Sequence, residues 1–148
     1  MKYIFRAKYI KKIKKFIDKP IVKILTGMRR VGKSTILNII RDDVLKDVPV
    51  ENKIYMNFES LEFFDINNAD LLKDYLDKKL KNKKGKVYFL FDEIQLVKDW
   101  ERVINGLRVS LNSDIYITGS NSKLISGDLS TLLAGRYVEF EIQPLSFY

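Results

Sequence analysis

A chain of 148 residues with 46% hydrophobic and 12% aromatic content is sized and composed for one folded domain with a sizeable core, not for a disordered segment. It has no cysteine and no histidine, which excludes disulfides, thiolate metal sites, cysteine nucleophiles and the commonest general base. The net charge of +8 is concentrated: nine Lys or Arg residues face only Asp18 before the first strand candidate ends, and the rest of the chain is neutral.

Residues 4–18 read as an amphipathic helix. Tyr9, Ile10, Ile13, Phe16 and Ile17 recur at three- and four-residue spacing with lysines between them. Those lysines have two readings: a surface for nucleic acid or acidic lipid, or a solvated face whose apolar stripe lies on the core. The second is expected, because one short segment makes a small electrostatic footprint. The start of the chain turns basic before any apolar region forms, and the longest apolar run, Val87 to Phe91, is far too short to span a bilayer. The expectation is a cytoplasmic protein without a membrane partner.

Pro20 separates this helix from Ile21-Val22-Lys23-Ile24-Leu25, a strand candidate. Directly after it comes Gly27-Met28-Arg29-Arg30-Val31-Gly32-Lys33-Ser34, which fits G-x-x-x-x-G-K-[ST]. An apolar-periodic helical stretch, Thr35 to Ile40, follows. Strand, glycine loop and helix together make this a phosphate site. Gly27 and Gly32 allow positive φ and close approach of the backbone. The loop N–H groups, from Arg29, Arg30 and Val31 onward, form an anion nest reinforced by the helix N-terminus. Lys33 reaches the β- and γ-phosphates, the Ser34 hydroxyl is placed to ligate Mg²⁺, and Thr35 suits the α-phosphate side.

Lys53 to Phe58 is a second strand candidate. Residues 68–82 carry helical periodicity through Leu71, Leu72, Tyr75, Leu76 and Leu80. Lys83-Lys84-Gly85-Lys86 reads as a solvated basic turn. Val87 to Phe91 is apolar without alternation, as for a central parallel strand buried on both faces. A helix is expected over 99–111, then strands at 115–119 and 137–142. Strands alternating with helices imply right-handed crossovers and an α/β/α layered sheet.

In such a sheet ligands sit at the carboxyl ends of the strands. Asp92 and Glu93 end the third strand. Asp92 is placed to hold Mg²⁺, and Glu93 to align and polarise a water for attack on the γ-phosphate. Side-chain alternation along the strand would aim the two carboxylates apart. The fourth strand runs into Ser120 and Asn121, which have two open roles: a sensor of the γ-phosphate, or a helix N-cap.

The blocks GMRRVGKST, VYFLFDEIQ with Trp100 downstream, IYITGSNSKLIS and LLAGRYVEFEIQPLSFY resemble the ATPase domain of a prokaryotic AAA-type P-loop ATPase family. In that family a C-terminal domain of unknown function commonly follows. The likeness runs from about residue 4 to the last residue. It implies an additional-strand P-loop core with order 5-1-4-3-2 and ATP as the nucleotide. It also implies Lys33 and Ser34 as phosphate and magnesium residues, Asp92 and Glu93 as the Walker B pair, and a polar sensor near Ser120 and Asn121. Arg136 occupies the family's Gly-Arg position, where it meets ATP in cis or from a neighbouring subunit; pairing with Glu139 or Glu141 is the competing reading. Similar proteins continue past the PLSF block, so the expectation for 1–148 is a single core domain without its lid, assembling through a homo-oligomer or a missing C-terminal domain.

The function expected is Mg-dependent ATP binding with hydrolysis, slow in the isolated domain. Two other classes stay open. A P-loop kinase would not need a glutamate beside the aspartate. A nucleotide-switched module would bind nucleic acid or protein with little turnover. A GTPase is disfavoured because no N-K-x-D motif occurs.

Overall fold

The computed structural model describes residues 2–120, 124 and 127–144. The elements, in chain order, are α1 (Lys2–Lys14), β1 (Val22–Thr26), α2 (Lys33–Ile39), β2 (Lys53–Asn57), α3 (Ala69–Leu80), β3 (Val87–Asp92), α4 (Trp100–Ser110), β4 (Ser113–Gly119), α5 (Gly127–Leu132) and β5 (Tyr137–Glu141). All four strand pairings are parallel, in the order β2-β3-β4-β1-β5. Taken from the other edge this is 5-1-4-3-2, the order that the family resemblance implies. Among the described residues no helix is long and apolar enough to cross a membrane.

Alternation along the strands builds a core on each face of the sheet. Val22 and Ile24 of β1, Phe89 and Phe91 of β3 and Ile115 and Ile117 of β4 join Leu72 and Leu76 of α3 and Ile104 and Leu107 of α4 on one face. Leu25, Leu90 and Tyr116 meet Tyr9 and Ile13 of α1 and Ile36 and Leu37 of α2 on the other. Each large apolar side chain so buried contributes about 1.5–3 kcal/mol. Every residue of β3 is buried, which explains its unbroken apolar run.

The first helix ends at Lys14, earlier than periodicity suggested, because Lys15 to Asp18 turn toward the sheet and Asp18 adopts φ 63. Phe16 and Ile17 still pack on the core, from that turn. Lys8, Lys11, Lys12, Lys14 and Lys15 are exposed, as a solvated face requires. Lys23 is not part of that basic surface. It is fully buried in β1 and paired with the equally buried Asp114 of β4. Besides the short 3-10 turns Val50–Asn52, Leu61–Phe63 and Ile94–Leu96, a wide helical turn, Ile40–Val44, that continues α2, and the short α5 had no sequence counterpart.

Candidate nucleotide site

The glycine loop leaves the carboxyl end of β1 at Gly27, whose φ is 142. A Cβ there would lie 2.5 Å from the Ile142 carbonyl oxygen and 3.1 Å from Val31 Cγ2. Ile142 is held in place by its own N–H, which donates to Thr26 O at 2.7 Å. The segment leaving β5 therefore presses on the loop's first residue, and only glycine fits. Gly32 (φ 101) has open space around it, so it answers a backbone need and not a steric one. Arg29 and Arg30 are exposed at the loop's crest, where Arg29 Nη1 stands 3.4 Å from Glu59 Oε2. Ser34 is exposed and Thr35 half-buried at the start of α2.

Lys33 turns back into the loop. Its ammonium donates to Gly27 O and Met28 O, both at 2.8 Å, and to Ser120 Oγ at 3.0 Å. Glu93 Oε1 lies 3.8 Å away. Burial holds the Lys33 pKa below its usual value, against the opposing pull of Glu93 and Asp92. The site thus stores a cation that a phosphate would stabilise.

Asp92 is fully buried at the end of β3. Thr118 Oγ1 donates to Asp92 Oδ1 at 2.6 Å and accepts from the Glu93 N–H at 2.9 Å. Tyr55 OH lies 3.3 Å from Asp92 Oδ2. Burial, then the Asp92 charge, pushes the Tyr55 phenol up to about 12, which keeps its proton in place as a donor. Glu93 is not an extension of the strand: it sits in the left-handed region at φ 57, ψ 54. That turn, rather than strand alternation, separates the two carboxylates. A non-glycine residue held there is strained, and such strain clusters at functional sites. Ser120 donates to Glu93 Oε1 at 2.6 Å, and the Gln95 amide nitrogen donates to Oε2.

Lys33, Asp92, Glu93 and Ser120 therefore converge at the carboxyl ends of β1, β3 and β4. Asn121 lies outside the described residues. Arg136 is not brought to this cluster. It is exposed at the amino end of β5, where its carbonyl accepts from Val22 N at 3.0 Å. Roughly 16 Å of strand separates it from the loop end of the sheet. Among the described residues it forms no ion pair with Glu139 or Glu141, and Glu139 instead accepts from Thr26 Oγ1 at 2.5 Å. Sequence reasoning missed Thr118, Tyr55 and Gln95. Thr118 was findable as a hydroxyl in an otherwise apolar strand end; Tyr55 reaches Asp92 only through the β2–β3 register, which pairs Asn57 with Asp92.

No trio of carboxylates converges among the described residues as a protein cage for a metal. The donors present, the Ser34 hydroxyl and the Asp92 carboxylate, are the sparse oxygen set that suits Mg²⁺ arriving with a polyphosphate and keeping its waters.

The fold is shared with solved structures. The chain superposes on Cdc6p from Pyrobaculum aerophilum with a TM-score of 0.61 at 12% identity, covering 91% of this chain and 45% of that one. A DNA polymerase III gamma subunit-related protein from Thermotoga maritima gives 0.63 at 10% identity, over 90% and 45%. In sequence, an uncharacterized protein of Haemophilus influenzae is 45% identical over 97% of this chain and 36% of its own length. Uncharacterized protein MJ1544 of Methanocaldococcus jannaschii is 40% identical over 85% and 27%. The chain thus spans about a third of the length of these curated relatives. The profile of the family described as "AAA domain" matches residues 19–148, and the chain belongs to that family.

Proposed function

We propose that the chain is the Mg-dependent ATP-binding and ATP-hydrolysing module of a longer AAA-type protein. One observation carries this reading: the buried ammonium of Lys33 meets Glu93 and Ser120 inside the loop, beside the buried Asp92. In this reading the β- and γ-phosphates take over Lys33 from Gly27 O and Met28 O, and the loop N–H groups bind the remaining oxygens. Ser34 and Asp92 would hold a magnesium ion, which would supply neutralising charge for the phosphates. Glu93, released from Ser120 or Gln95, orients a water and accepts its proton. Ser120 then reports on the γ-phosphate, because it bonds both Lys33 and Glu93.

A second reading has its own observation. Both Glu93 oxygens are engaged and its backbone is held in a left-handed turn. A glutamate so restrained suits a nucleotide-switched module with little turnover, acting on nucleic acid or a protein. Phosphate release from Mg-ATP, measured beside ATP binding, separates the two. Binding with turnover supports the ATPase; binding without turnover supports the switch. Absence of binding by the folded chain defeats both.

A further inference from the structure

The charges of the sheet are divided unevenly between its ends. The carboxyl end holds the glycine loop, where acids and cations meet in pairs, Glu59 with Arg29 and Glu93 with Lys33. The amino end receives every loop that enters a strand. Across the sheet those loops bring Lys83, Lys84 and Lys86 to β3, Lys19 to β1 and Arg136 to β5, and the last turn of α4 brings Arg108 to β4. The sequence scatters these cations over four segments, and only the strand order sets them in a row.

Contacts tie the row together. Asp18, Lys19, Lys86, Arg108 and Asn112 line one cleft of about 220 Å³. The Val22 N–H bond to Arg136 O joins Arg136 to the same edge. Arg108 Nη2 donates to Asn105 Oδ1 at 2.9 Å, while its Nε is shielded from solvent without a partner. The acids in this row are spoken for. Asp114 is buried against Lys23. Asp18 accepts from Tyr88 OH at 2.6 Å and lies 3.1 Å from Lys86, which leaves Lys83 and Lys84 as the cations of the β3 loop outside an ion pair among the described residues. Asp47 and Glu51 lie in the segments that lead to β2, at one side of the row.

Helix dipoles account for part of this pattern, since helices end where these loops begin. Arg108 stands in the last turn of α4, where a cation is favoured. Lys19, Lys84, Lys86 and Arg136 lie beyond the last turn of any helix, so the dipole does not explain them.

Length decides the class of ligand. Neighbouring strands are about 4.8 Å apart, so the row from β3 to β5 extends roughly 14 Å. A single phosphate group meets one or two of these cations. A nucleic-acid strand repeats its charge about every 3.4 Å along the helix axis and meets all four segments. We infer that the amino end of the sheet is a surface for the phosphate backbone of nucleic acid, at the opposite end from the nucleotide loop. Phosphate contacts of this kind position a duplex or strand without reading its sequence. The lysines of α1, to which the basic composition first points, are not the centre of this surface.

The test is fluorescence anisotropy of a labelled oligonucleotide across a salt series. Two triple variants of equal charge change are compared: Lys19→Gln/Lys84→Gln/Arg108→Gln in the row, and Lys8→Gln/Lys11→Gln/Lys12→Gln on α1. The row variant is expected to bind at least about tenfold more weakly, with a salt slope shallower by about one for each cation that no longer meets a phosphate. The α1 variant should keep the larger part of the affinity. Should the row triple fail to fold, the exposed single variants Lys84→Gln and Arg136→Gln carry the same slope test. Equal losses in both triples would overturn the proposal, as would a chain that binds no oligonucleotide at low salt. So would displacement by inorganic phosphate at matched phosphate concentration, which marks a small-anion site. Preference for phosphatidylserine vesicles over the oligonucleotide would overturn it too, assigning the surface to lipid instead. None of these outcomes depends on whether the chain binds or hydrolyses ATP.

Discussion

Lys33 and Glu93 stand 3.8 Å apart, ammonium to carboxylate, and each is at most 5% exposed. Ser120 bridges them, accepting from one and donating to the other. The pair links the glycine loop to the end of β3, so a phosphate drawing on Lys33 is expected to loosen Glu93 as well. Lys33→Ala removes a point charge that nothing nearby replaces. Mg-ATP affinity should fall at least about tenfold, or about 1.4 kcal/mol. Calorimetric titration reads this, with circular dichroism to confirm the fold. Unchanged affinity in the folded variant would sink the nucleotide reading.

The two carboxylates at the end of β3 should separate by phenotype. Glu93→Gln keeps the shape and the Gln95 and Ser120 neighbourhood but is a far weaker base. It should retain ATP and lose phosphate release. Asp92→Asn keeps an acceptor for Thr118 and loses the charge, so it should shift the Mg²⁺ dependence of binding to higher concentration. If Glu93→Gln turns over ATP as fast as the parent, Glu93 is structural and the switch reading rises.

Gly27 tests the loop itself. A methyl group there meets the Ile142 carbonyl at 2.5 Å, in a backbone conformation that side chains rarely adopt. Gly27→Ala should lower stability by about 1–3 kcal/mol, the usual cost of a strained backbone position, and weaken ATP binding. Gly32→Ala meets no atom within 4 Å and should cost less. Urea unfolding of the two variants gives the comparison; a Gly32→Ala loss equal to or larger than that of Gly27→Ala contradicts it.

The sheet was legible because its strands are short apolar runs between helical periods, and the glycine loop because its spacing is itself the chemistry. The order of the strands was not in any periodicity; the family resemblance supplied it. Roles that depend on register were hidden. Thr118 and Tyr55 meet Asp92 from neighbouring strands, and no local pattern announces that. Glu93 was readable as a residue and not as a geometry, since its left-handed turn is imposed by the bonds that Thr118, Ser120 and Gln95 make to it. The pairing of Lys23 was hidden for the same reason: its partner Asp114 is 91 residues away.

Asp18 gives a pH prediction. The Tyr88 hydroxyl, chiefly, and the Lys86 ammonium hold its carboxyl below the usual 3.8, against a smaller opposing effect of burial. A carboxyl lowered on folding contributes stability that is fully present above the unfolded value. The contribution is lost as pH falls through the lower folded value. Asp18→Asn should therefore melt lower than the parent by a constant margin from neutral pH to about pH 5. The margin should close as pH drops below 3.8. A margin that persists unchanged in strong acid would mean that Asp18 acts through packing and not through its charge.

Lys23 and Asp114 make the buried ion pair between β1 and β4, each fully shielded from solvent. Lys23 also donates to Lys19 O at 2.9 Å and lies 5.3 Å from the Tyr116 ring centroid. Asp114 accepts from Tyr116 OH at 2.7 Å and from Asp18 N at 3.0 Å. Burial pulls the Lys23 pKa down while Asp114 pulls it up, so the pair is mutually dependent. Breaking such a pair leaves an uncompensated charge, which costs about 3–5 kcal/mol. Lys23→Met and Asp114→Asn should each approach that loss in urea unfolding. The double variant removes both charges yet leaves an amide oxygen for Tyr116 and Asp18. It should be less destabilised than the sum of the singles by more than about 0.5 kcal/mol, beyond the scatter of independent sites. Additive losses would show that the two side chains are not coupled, and that the β1–β4 junction is held by its ladder and apolar contacts alone.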